Sequence, residues 1–296
     1  SLEEVEHATG IACAHIDSLG DALAKDAGTL ELCVVSEADP SVTELVNQVR
    51  SQNGAVDAQV NAANDAKLLE ALAELRLIKD PWEIEQLELA VSVTKSGFEK
   101  LIRSLPRATE HWRGERVLEG AFGAVAREEG NGLGYDTIAA SGNNANTLHW
   151  INNDGRVLES DMVLVDAGAE VDSLYTADVT RTLPVSGTFS AAQRKIYQAV
   201  LDAADAAFAK ANEPGVRFRD LHNAAMEVLA ERLESWGCLP EGVTAAQSLS
   251  PEGQYHRRWM VHGTSHHLGL DVHDCAQARR EMYMDALLEP GMCFTI

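Results

Sequence analysis

The sequence predicts a mixed α/β (α+β) protein of two unequal units, on three observations. An apolar series at helical spacing, Ile84, Leu87, Val91, Thr94, Phe98, Leu101 and Leu105, opens a long second unit. A short apolar run, Met162 to Val165, has the length and composition of a buried strand and leads straight to Asp166. The pattern ahead of residue 75 changes character and is too short for a domain of its own, which sets the boundary between residues 1–74 and residues 75–296.

In chain order, the first unit combines a helical pattern (Val5, Ala8, Ile11, Ala12, Ile16, Leu19) with a β-like run from Leu30 to Val35. Arg76-Leu77-Ile78-Lys79-Asp80-Pro81-Trp82-Glu83 leads into the second, with Pro81 suited to the first turn of its helix and Pro106 closing it. The Gly- and Asn-rich stretch from Gly132 to Leu148 reads as strand and loop. Ser190 suits the N-cap of a helix reaching Lys210; Pro214-Gly215 separates it from a helix from Phe218 to Trp236, which Gly237 stops. Glu289-Pro290-Gly291 forms a turn before an apolar strand that runs to Ile296 with no cap or polar tail, so the natural chain is expected to continue.

A net charge of −22, from 46 acidic and 24 basic residues, repels phosphate backbones and anionic bilayers, which argues against nucleic-acid and membrane partners. Most of that charge serves solubility. Cys13, Cys33, Cys238, Cys275 and Cys293 are scattered, odd in number and never paired as C-x-x-C, which indicates neither a disulfide framework nor a zinc finger. With no membrane-length apolar run and an acidic start at Ser1-Leu2-Glu3-Glu4, the expected location is cytoplasmic.

Chemistry concentrates in three places. Val165-Asp166-Ala167-Gly168 and Thr176-Ala177-Asp178-Val179-Thr180-Arg181-Thr182 put a carboxylate at the end of each of two neighbouring strands. Carboxylates so held can converge on a hard divalent cation, or simply cap strand ends and pair with Arg181. Between His262 and His273 lie four of the ten histidines, with Ser265, Asp271 and Asp274 as candidate partners. Imidazole can ligate a metal through one nitrogen while the other is fixed by a neighbour, and it moves protons near neutral pH. His267 is the member of the cluster suited only to packing or to facing water. Ser141-Gly142-Asn143-Asn144-Ala145-Asn146-Thr147-Leu148-His149-Trp150 carries a further histidine after a polar loop, a weak signal by itself.

Together, in this order, these segments and the Leu77 to Ile84 lead-in resemble the aminopeptidase P and prolidase family over residues 75 to 296. The resemblance implies a pita-bread catalytic domain, two pseudo-symmetric α/β halves around a dinuclear metal site. It makes residues 1–74 the end of a smaller α/β accessory domain. Asp166 looks like a terminal carboxylate ligand, Asp178 like a carboxylate bridging both metals, and His266 like the terminal imidazole. His149 and His273 resemble the substrate-facing histidines, and His262 a further active-site histidine. Mn²⁺ is the implied metal, with Zn²⁺ or Co²⁺ as alternatives. The implied substrates are peptides with proline in second position, and the implied assembly is a homodimer or homotetramer.

Two departures qualify the match. The interval from Asp166 to Asp178 is one residue longer than is typical of the family, which calls for a bulge or a longer turn. The family's two glutamate ligands follow a Phe-Thr-Ile segment like Phe294-Thr295-Ile296, so these 296 residues alone are expected to bind metal weakly and to be nearly inactive. Within the enzyme class the alternative is an Xaa-Pro dipeptidase of the prolidase type. Outside it the alternative is a pita-bread module that binds peptides or proteins without catalysis.

Overall fold

A computed structural model describes residues 1–27, 29–36 and 38–296. It divides into two compact units, Ser1–Glu74 and Leu75–Ile296.

The first unit is helical among its described residues: α1 (Leu2–Thr9), α2 (Leu19–Asp26), α3 (Pro40–Gln52) and α4, which starts at Ala58 and ends at Leu75. The periodic series from Val5 to Leu19 is not one helix. Gly10 takes a left-handed conformation (φ 69°) and caps α1, so the pattern breaks after two turns. Nor is the run from Leu30 to Val35 a strand, because side chains rather than a ladder satisfy its backbone. Arg50 Nη2 donates to the Leu32 carbonyl (2.7 Å) and the Val34 N–H donates to Asp65 (2.8 Å), while Arg50 and Asp65 pair at 2.5 Å. Two charged groups already holding each other thus serve the backbone at Leu32 and Val34, in a segment with no partner strand among the described residues.

The second unit begins with α5 (Pro81–Arg103), which Asp80 and Glu83 start as a reciprocal capping box with Pro81 in the first turn. Its buried face runs through Leu87, Ala90, Thr94, Phe98 and Leu101; Val91, placed in that series by spacing alone, is exposed. The helix ends at Ser104. Pro106 therefore lies in the first turn of α6 (Leu105–Glu110) instead of closing α5. After α7 (Gly114–Glu129) come β1 (Gly132–Leu133), β2 (Ile138–Ser141), β3 (Met162–Ala167), β4 (Ala169–Glu170) and β5 (Val179–Pro184). β2, β3 and β5 form an antiparallel sheet with β3 in the middle, and β1 pairs with β4.

The alternation of a strand decides which residues of β3 meet the core. Val163, Val165 and Ala167 are fully buried in a core shared with Leu101, Leu118 and Phe122, whereas Asp166 points to the opposite face. A second core forms where α8 (Ala191–Ala211) packs on α9 (Phe218–Ser235), with Phe218 and Leu221 at its centre and Phe294 and Ile296 against it. Ser190 caps α8 in a box with Gln193, and a short α10 (Ala245–Leu249) follows. The segment from Met292 to Ile296 is extended but pairs only through bridging contacts: Leu268 N–H to the Cys293 carbonyl (3.0 Å) and Thr295 N–H to the His266 carbonyl (2.9 Å). No helix among the described residues is long and apolar enough to cross a membrane.

Candidate metal centre

β3 and β5 bring two carboxylates to one place. Ala167 pairs with Val179 and Asp166 with Thr180, so Asp166 near the end of β3 faces Asp178 just ahead of β5. Gly168 makes the approach possible: a Cβ there would run into the Ala177 carbonyl. Between the carboxylates the chain turns at residues 171–174, with Leu174 in the left-handed region (φ 69°).

Tyr135, just before β2, lies between the two acids. Its hydroxyl stands 2.5 Å from Asp166 and 2.8 Å from Asp178, and it can give its proton to one at a time. His266 Nε2 is 2.9 Å from Asp178, and its Nδ1 donates to the His267 carbonyl at 3.0 Å. The ring of His273 meets that of His266 edge-on at 4.5 Å, and His149, exposed on the loop after β2, lies within electrostatic range of His273. Burial, then the negative charge of Asp178, push the Asp166 carboxyl up against the pull of Tyr135. Burial works the same way on Asp178, but the hydrogen bonds from His266 and Tyr135 outweigh it and hold Asp178 below the usual carboxylate range. The reciprocal effect raises His266 despite its burial, while burial and the charge of His266 lower His273. Burial and the two carboxylates keep Tyr135 protonated at any physiological pH.

Other candidates take different places. His267 is fully buried, stacked on Phe218 at 4.8 Å with neither ring nitrogen hydrogen-bonded, and burial lowers it to about 4. It is a packing residue. His262 is exposed, donates Nδ1–H to the Gly263 carbonyl (2.6 Å), and lines an adjoining cavity of about 310 Å³ with Arg219, His222 and Arg257. Asp271 and Asp274 are not imidazole partners. Asp274 is buried and pairs with Lys79 Nζ (2.9 Å) and with Arg76, which also holds Asp271 (2.7 Å); Ser265 hydrogen-bonds Thr264 (3.3 Å). Arg181 donates to the Thr180 carbonyl (2.8 Å) and leaves the two acids to Tyr135, Thr180 and His266. Tyr135 was not legible as a site residue, since a tyrosine ahead of a strand carries no distinguishing pattern.

The donor set suits a divalent cation. Hard carboxylate oxygens converge with an imidazole whose Nδ1–H is tied to a carbonyl, the arrangement that directs the Nε2 lone pair to a metal. Among the described residues no three His, Cys, Asp or Glu side chains already stand in ion-holding geometry; Asp166, Asp178 and His266 satisfy one another through Tyr135 and the His266 to Asp178 contact.

A sheet that presents paired carboxylates beside a histidine cluster belongs to the metallohydrolase class of site. The chain belongs to metallopeptidase family M24, which residues 85–296 match. It is 47% identical over 269 residues to Xaa-Pro aminopeptidase 1 of Streptomyces coelicolor, covering 88% of this chain and 53% of that one. With Xaa-Pro aminopeptidase 2 of the same organism it shares 44% identity, covering 100% and 59%. The chain thus spans little more than half the length of these curated relatives. Among solved structures, zinc-substituted Escherichia coli aminopeptidase P in complex with product superposes with a TM-score of 0.82 at 25% identity, covering 99% of this chain and 65% of that one. The fold is therefore the pita-bread fold of that family.

Proposed function

We propose that the intact protein is a metal-dependent exopeptidase that cleaves the bond between an N-terminal residue and a following proline. The observation that carries this reading is the meeting of Asp166, Asp178 and His266 with His273 and His149 beside them, in a family of metallopeptidases. Asp166, Asp178 and His266 would hold two divalent metal ions, Mn²⁺ by preference. When bound, such ions supply a water acidified to near neutrality and a polarised carbonyl. Tyr135 keeps the carboxylates oriented. His273, held neutral at physiological pH by burial, serves with His149 to steady the developing oxyanion and guide the proton to the leaving nitrogen. His262, on the wall of the adjoining cavity, contacts the substrate rather than the metal.

Residues 1–74 are read as the C-terminal part of an accessory domain plus linker, and residues 75–296 as the catalytic domain without its last ligands. Two carboxylates and one imidazole do not offset two dications, so further carboxylate ligands complete the centre, and residues 1–296 alone bind metal weakly and turn over slowly. Peptides with proline in second position are the substrates, the assembly is a homodimer or homotetramer, and the location is cytoplasmic.

The test sets the full-length gene product beside the 296-residue chain, with metal analysis and an Xaa-Pro peptide assay. Two Mn²⁺ per full-length subunit and Mn²⁺-dependent release of the residue before proline are expected. A full-length protein that is metal-free and inactive overturns the reading, and full activity of the 296-residue chain overturns the claim about missing ligands.

A further inference from the structure

Glu115, the second residue of α7, is fully buried, and no reading of the chemistry above uses it. A carboxylate out of reach of water needs partners, and this one has four, none of them a cation. Oε1 accepts from the Ser141 N–H (2.7 Å) and Asn144 Nδ2 (2.9 Å); Oε2 accepts from Trp150 Nε1 (2.9 Å) and the Gly155 N–H (2.8 Å). All four donors lie in one stretch, residues 141–155, which leaves β2 at Ser141 and carries His149 at its tip. Two of them stand at the ends of the stretch, one in its first turn, and one on the residue directly after His149. The backbone of the same stretch is unusual where it matters, with His149 (φ 55°) and Asn153 (φ 47°) both in the left-handed region. A loop with two such residues does not hold its shape by local preference alone.

We propose that Glu115 is a positioning residue that fixes the loop carrying His149 by gathering the loop's two ends, its first turn and Trp150 onto one carboxylate. The inference rests on the reading of His149 as a substrate-facing group. A carboxylate suits the task because it offers acceptor sites on both oxygens, whereas a glutamine at the same place turns two N–H donors toward groups that are themselves donors. Asn153, also fully buried, fastens the far side of the loop by accepting from the Ala139 N–H (2.9 Å) and donating to the Thr137 carbonyl (2.7 Å), which ties residue 153 to β2 but leaves residues 144–150 to Glu115.

The experiment uses the full-length, metal-loaded protein and the variants Glu115→Gln, Trp150→Phe and His149→Ala. It reads kcat and KM on an Xaa-Pro peptide, metal content, and backbone hydrogen exchange over residues 141–155. Glu115→Gln is expected to lower kcat roughly ten- to hundredfold with a smaller change in KM, at unchanged metal content, and to speed exchange at Ser141 and Gly155. In a His149→Ala background the same substitution is expected to lower kcat by no more than about twofold, because a positioning residue has nothing left to position. Trp150→Phe, which removes one bond and keeps the ring, repeats the effect at about threefold and serves if Glu115→Gln does not fold. Equal losses of kcat with and without His149, or unchanged exchange in either variant, overturn the proposal. A wild-type protein with no Xaa-Pro cleavage sinks the functional reading instead, and the exchange rates still decide whether Glu115 holds the loop.

Discussion

The segments carrying His149 and His273 reach the same centre but are held by opposite electrostatic means. The first hangs on a lone buried anion served only by neutral N–H groups, spread over 15 positions from Ser141 to Gly155. The second is clamped by ion pairs: Asp274, next to His273, is buried against Lys79 at 2.9 Å and against Arg76, both from the lead-in to α5, and Arg76 also holds Asp271. Lys79 is itself buried and also donates to the Arg76 carbonyl (2.7 Å). Beside this pair the Cys275 thiol is pushed up to about 12, chiefly by burial, which leaves it an inert packing group at neutral pH. Neutral donors shape a long loop, while ion pairs pin a short segment. The two devices should therefore fail differently.

The largest effect should come from stranding a buried charge. Asp274→Ala leaves Lys79 without its carboxylate and is expected to cost about 3–5 kcal/mol in urea unfolding, with a Lys79→Met/Asp274→Leu pair much closer to wild type. A cost below about 1 kcal/mol would mean that water reaches Lys79, and the contrast between the two segments would collapse.

His267 supplies a third way of anchoring this region, packing without any polar partner. Its folded value of about 4 lies below that of an unfolded histidine, so the unfolded chain takes the proton first. The stability is complete above about pH 6.5 and is lost as the pH falls toward about 4, by roughly 3 kcal/mol in all. Unfolding curves between these pH values should show the loss, and His267→Phe should flatten it.

Where the carboxylates meet, Tyr135→Phe removes the hydroxyl shared by Asp166 and Asp178. The expected loss is about 10–100-fold in metal affinity by competition titration, with little change in melting temperature. An unchanged affinity would show that the carboxylates orient themselves. At the other extreme, the exposed pair Arg103 and Glu99, 3.0 Å apart on α5, should tolerate Arg103→Ala within about 0.5 kcal/mol, which separates charge as such from buried charge.

How much of this could be read beforehand follows the range of the interactions. Pro81, Ser190 and Gly237 marked helix ends because such signals act over three or four residues, and Met162 to Val165 announced β3 by its own composition. α3 and α4 went unread. α4 buries only Asn64 and Ala73 and carries no clear apolar stripe, but on α3 Val42, Leu45, Val46 and Val49 form one behind Asp39 and Pro40, so that helix was legible from its own spacing. The run from Leu30 to Val35 looked like a strand because its composition suits one, but a strand needs a partner, and Arg50 and Asp65 took that role.

By itself, then, the sequence determined the elements whose signals are local and the order of the chemistry-bearing segments, which was enough to point to the family. Only the tertiary structure decided that Tyr135 stands between the two acids, that Asp274 serves Lys79 rather than an imidazole, and that Glu115 gathers the loop of His149. Each of these joins residues 26 to 195 positions apart, and a hydrogen bond between groups so far apart in the chain leaves no periodicity to read.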